Sequence, residues 1–154
     1  MFTKSETLYR QTAAEGATYI GLLLVVYDTL AGDLRRAGAA VDGNNIAVRC
    51  EASNHALLLL GHLESWTASL EEPALKDSLA QFYAYLRAQM LFHQAEPQAQ
   101  AFFSLASLVE QTRAVWQAKE SQGTRAGELA STAQKDALQP GSNDEPVRRT
   151  SWSA

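Results

Sequence analysis

The stretch Ala17-Thr18-Tyr19-Ile20-Gly21-Leu22-Leu23-Leu24-Val25-Val26-Tyr27 carries no charge on any side of a helix, and it runs on into Asp28 and a charged, amphipathic continuation. A membrane helix needs about 20 apolar residues, so the block is too short to span. A surface helix needs one apolar stripe, and this block has more than that. The helix is therefore either central to a core or partly offered to a partner.

A 3.6-residue rhythm spreads outward from this block, and no segment shows strand alternation. The first helix is expected over about Thr18 to Val41, with Ile20, Leu23, Leu24, Tyr27, Leu30, Leu34, Ala37 and Val41 on one face. Asp42-Gly43 should end it, with Gly43 free to turn left-handed, and Asn44 or Asn45 can cap the next helix. The second runs about Ile46 to Leu70 through Val48, Ala52, Ala56, Leu59, Leu63, Trp66 and Leu70. Pro73 then suits the first turn of a third helix, about Ala74 to Ala95, carrying Leu75, Leu79, Phe82, Leu86, Met90 and His93. A fourth starts near Pro97, carries Phe102, Leu105 and Trp116, and ends near Glu120. Short connections between helices of similar length favour antiparallel neighbours, so the expected fold is all-α, an up-down-up-down four-helix bundle. The expected organisation is an N-terminal arm over residues 1–17, the bundle over 18–120 and a mostly disordered tail over 121–154. In that tail Arg125 to Leu138 is at best weakly helical, and Pro140 to Pro146 is a breaker cluster.

The chain's 154 residues suit one domain. A domain of that length can bury roughly 70% of its unfolded surface without staples. Cys50 is the only cysteine, so no internal disulfide can form, which fits a reducing cytoplasm. The net charge of −4 and pI near 5.3 argue against nucleic acid as the main partner. Glu6 and Glu15 dilute the charge that a signal peptide would need before its apolar core, and no small-residue cleavage site follows the block. Neither a secretory leader nor a membrane span is expected, and the expected location is cytoplasmic.

Residues that could carry chemistry do not assemble into a site. His55 and His62 share a face of the second helix, but two turns, about 10 Å, separate them, too far for one metal ion. Ser53 beside His55 is no triad, because near neighbours on a helix face different ways. No glycine-rich phosphate loop occurs. The expectation is a protein with no catalytic, cofactor or metal residues. Glu64, Glu71, Glu72 and Asp77 read as a solvated end of the bundle. The apolar surplus is the better clue. Tyr83 and Tyr85 flank the third stripe, Leu91 and Phe92 follow, Phe102 and Phe103 are adjacent, and Leu57 to Leu60 is a continuous run. Aromatic residues beyond what one face can bury mark interaction surfaces, here of the helix-in-groove kind.

The order and spacing of these features resemble the FliS family of flagellin-specific export chaperones, over about Tyr9 to Trp116. Tyr9, Ala17-Thr18, the leucine-rich run Leu22 to Val26 ending in Tyr27-Asp28, Asp42-Gly43-Asn44, Tyr83-Ala84-Tyr85-Leu86 and Arg113-Ala114-Val115-Trp116 carry the resemblance. Tyr19 stands where that family usually has proline, Asp33 where it is usually apolar, and His93-Gln94 where Ala-Asn is usual. The resemblance implies a cytoplasmic chaperone that binds the C-terminal segment of flagellin, prevents its premature polymerisation and keeps it export-competent. Export-apparatus components are a further implied partner class; nucleic acid and membrane are not. The alternative is a diverged member acting as co-chaperone or structural partner of another flagellar or export protein. The residues expected to meet the partner are Tyr9, Leu22, Val26, Leu57, Leu60, Tyr83, Tyr85, Phe92 and Phe103.

Overall fold

A computed structural model describes the backbone of residues 4–137 and the side chains of residues 19–137. The described residues form four helices: α1 (Lys4–Asp42), α2 (Ile46–Ala68), α3 (Pro73–Ala95) and α4 (Ala99–Ala137). The chain divides into two units, Met1–Glu120 and Ser121–Ala154, and the packing described below lies within the first.

Helix ends follow local chemistry. At the α1–α2 turn Asn44 N–H donates to the Val41 carbonyl and Asn45 N–H to that of Ala40, the paired bonds of a Schellman ending. The left-handed residue is Asn44, at φ 51°, and not Gly43 as expected. α1 continues one residue further than that reading allowed, and asparagine tolerates the left-handed region better than most side chains. Asn45 then caps α2, its side chain accepting from Val48 N–H at 3.1 Å. Pro73 begins α3 after an extended Glu72.

Two boundaries differ from the sequence expectation. α1 begins at Lys4 and not near Thr18, and α4 runs on to Ala137 instead of ending near Glu120. Neither added segment contains proline, and both are rich in Ala, Glu and Gln, so the helices run through Gly16, Gly123 and Gly127.

Side-chain pairs set the directions. Tyr19 meets Trp66 and Asp33 meets His55, so α1 and α2 run antiparallel. Arg35 pairs with Glu110 and Asp28 with Arg113, so α1 and α4 do too. Glu64 joins Arg87 between α2 and α3, and His93 lies against Phe102 between α3 and α4. The result is an antiparallel four-helix bundle.

All four helices contribute to one core, with Leu30 and Leu34 of α1, Leu60 and Leu63 of α2, Leu86 and Met90 of α3, and Phe102 and Val109 of α4. Fully burying such a side chain is worth about 1.5–3 kcal/mol. The core also holds a polar knot. The Tyr27 and Tyr83 hydroxyls are 2.5 Å apart, and Trp116 Nε1–H donates to the Tyr27 oxygen at 3.3 Å. It ties α1, α3 and α4 together, and it satisfies hydroxyls that would be costly to bury alone. Burial pushes both tyrosine hydroxyls above their ordinary ionisation range.

Candidate partner-binding surface

The sequence stripes are wider than the core, and the bundle leaves the excess outside. Leu22 and Val25 on α1, Leu58 on α2, Tyr85 and Phe92 on α3 and Val115 on α4 are each exposed over about half of their surface, 49–59%. Tyr85 lies two residues from buried Tyr83, so its ring leaves the core side of α3 and faces water.

Between α2 and α3 runs an open groove of about 360 Å³, lined by Glu64, Thr67, Ala68, Lys76, Ala80, Ala84 and Arg87. The alanines make its surface apolar and shallow. Arg87 Nε donates to Glu64 Oε1 at 2.8 Å across the two helices, and Lys76 adds a second cation. A second cleft, about 310 Å³, lies at the end of the bundle holding the α1–α2 turn, lined by Ala40, Val41, Asn44, Asn45, Ile46, Arg49 and Pro97.

The residues expected to meet a partner divide sharply. Leu22, Tyr85 and Phe92 are exposed, and Val26 and Leu57 are half-buried. Leu60 and Tyr83 are core residues, at 0% and 1% exposure, and do not line a surface. Leu60 is on the buried edge of the Leu57–Leu60 run, and the Tyr83 hydroxyl belongs to the polar knot. Phe103 is half-buried and packs on α1, where a Cβ at Gly38 would stand 2.9 Å from its Cε1 atom. It is an α1–α4 packing residue. The backbone of Tyr9 is part of α1, but its side chain lies outside the described residues.

Sequence reasoning missed the groove. Its signal was the pair Ala80 and Ala84, one turn apart, together with Ala68. Small residues at that spacing let a foreign side chain approach, but nothing local shows which neighbour leaves them uncovered. It also missed the pairing of Asp33. That carboxylate is 3% exposed, and His55 Nδ1 lies 2.5 Å from its Oδ2. Tyr19 packs against Trp66 with the rings tilted 58° and their centroids 5.9 Å apart, and burial raises its hydroxyl above the ordinary range.

Among the described residues no group of three His, Cys, Asp or Glu side chains is placed to hold a metal ion. No described helix is long and apolar enough to cross a membrane. The fold and surface define a helical binding module, with a packed core inside and apolar side chains and grooves outside. The sequence profile of the family described as flagellar protein FliS matches residues 1–123, and the chain belongs to the FliS family. This is a family of flagellar export chaperones. No curated protein matches the chain.

Proposed function

We propose that this chain works in the cytoplasm and binds the C-terminal segment of flagellin, holding it unpolymerised and ready for export. The observation that carries the reading is the apolar surplus outside the core, Leu22, Tyr85 and Phe92 above all, taken together with the alanine-floored α2–α3 groove. A disordered segment that folds on binding gives up about 2–5 kcal/mol or more in ordering, so it needs a long apolar contact. Anchors seated in desolvated pockets can each offset 2 kcal/mol or more of that cost. In this reading residues 18–120 form the chaperone body, residues 1–17 an arm carrying Tyr9, and residues 121–154 a tail.

Isothermal titration with a flagellin C-terminal peptide tests the reading. Tyr85→Ala and Phe92→Ala should each weaken binding about tenfold or more while leaving thermal stability unchanged, since both rings are half exposed. Absence of heat and of competition at roughly tens of micromolar peptide, a weak affinity by any standard, overturns it.

A further inference from the structure

Asp33 and His55 form a charge-bearing pair that flagellin binding does not call on. Asp33 is on α1, its side chain 5% exposed at the α1–α2 seam. His55 is on α2, its side chain 47% exposed, with Nδ1 2.5 Å from Asp33 Oδ2. A carboxylate only accepts hydrogen bonds, so Nδ1 carries a proton, and in the neutral ring it is Nε2 that holds the free lone pair. Since the Nδ1 edge is turned to a buried partner, the exposed edge of the ring is the Nε2 edge.

We propose that His55 is a phosphoryl-acceptor histidine, taking a phosphoryl group onto Nε2 from a donor of the phosphoramidate class. The Nε2 lone pair forms the new N–P bond, the donor's own P–N bond breaks, and the departing amine takes a proton from solvent. Nothing is oxidised or reduced. The imidazole gains positive charge as the bond forms, and its Nδ1 proton stays between the ring and Asp33. A nucleophile oriented by a third, charged group is the general arrangement for covalent transfer. Here Asp33 supplies the compensating charge from a site shielded from water.

The surrounding charges are few. From α1, Arg36 places a guanidinium nitrogen 3.5 Å from Asp33 Oδ1, so a cation neighbours the pair. From α2, Glu51 sits one turn before His55 and opposes an anion there, but Arg36 holds it at 3.7 Å. Among the described residues no charged side chain of α3 or α4 pairs with Asp33 or His55. The product would set about two negative charges on the outer face of α2, three residues from exposed Leu58.

The chain supplies its own controls. His62 is exposed on the same helix, and no carboxylate pairs with it among the described residues. His93 is 8% exposed, and its Nδ1–H donates to the Glu96 carbonyl. The test is to incubate the full chain with phosphoramidate at neutral pH and follow each histidine by ³¹P nuclear magnetic resonance and peptide mass spectrometry. His55 should be modified at least about tenfold faster than His62, as the acid-labile Nε2 isomer. Asp33→Asn should bring His55 down to the His62 rate without changing His62. His55→Gln should abolish the fast product alone. Equal rates at His55 and His62 in the unaltered chain overturn the proposal, whatever any variant does to folding. So does an unchanged His55 rate in folded Asp33→Asn.

Discussion

Two glycines on α1 make a matched test of how closely the helices pack. Gly32 is exposed, and a Cβ built there meets nothing within 4 Å. Gly38 is buried, and its Cβ would stand 2.9 Å from Phe103 Cε1, 3.1 Å from Cζ and 3.2 Å from the Ala99 carbonyl oxygen. Both are helical, so alanine at either gains about 0.8–1.0 kcal/mol of helix propensity. At Gly32 that gain stands alone, and Gly32→Ala should be stabilising by nearly that much. At Gly38 it is opposed by overpacking, which costs about 1–3 kcal/mol. The ring of Phe103 can tilt, but the Ala99 oxygen is backbone and cannot move without shifting the start of α4. The middle of the range leaves Gly38→Ala destabilised by about 1 kcal/mol, so the two variants should differ by about 2 kcal/mol. For a domain this size that is roughly 4–8 °C in melting temperature. Urea unfolding followed by circular dichroism resolves the difference, with the slope unchanged if both variants remain two-state. Adding Phe103→Leu to Gly38→Ala should recover much of the loss, because the two nearest atoms belong to that ring. If Gly38→Ala is as stable as Gly32→Ala, α1 and α4 are not in close contact at this point and the packing role given to Phe103 is wrong.

Leu60→Ala should cost about 2–5 kcal/mol as a buried truncation, and any loss of partner binding should track loss of fold; near-native stability would return Leu60 to the surface. The raised ionisation of Tyr27 and Tyr83 sets an alkaline limit. A group whose folded value lies above its unfolded value of 10.0 contributes fully below that pH and loses the contribution as pH rises beyond it. Stability should therefore fall above pH 10.0, with the tyrosinate absorbance of these two residues appearing only on unfolding; their ionisation in the folded chain near that pH would contradict the knot. Arg35 holds the Glu110 carboxyl below its usual range, so that pair helps at neutral pH and is lost as pH falls through the carboxylate range. Both side chains are 46% exposed, so Glu110→Gln should flatten the acid limb of a stability–pH curve only slightly, and high salt should mimic it.

Helix number, type and order were legible because they rest on local chemistry. The 3.6-residue rhythm marks each apolar face, and the Asn44-Asn45 and Pro73 signals act within a few residues of themselves. The same signals could not start α1 at Thr18 or end α4 at Glu120, since neither boundary carries a proline and a helix can run through a lone glycine at modest cost. The division of each apolar stripe between core and surface was not legible. Tyr83 and Tyr85 read alike in one dimension, yet one hydroxyl is knotted to Tyr27 and the other ring faces water. Leu58 and Leu60 part in the same way. A stripe says which side of a helix is apolar; only the neighbouring helices decide how much of that side they cover. The two features on which the proposals rest, Asp33 with His55 across 22 residues and the groove between α2 and α3, join segments that no local pattern connects. Packing brings them together because burying apolar area is non-directional, and the register it settles on is a property of all four helices at once.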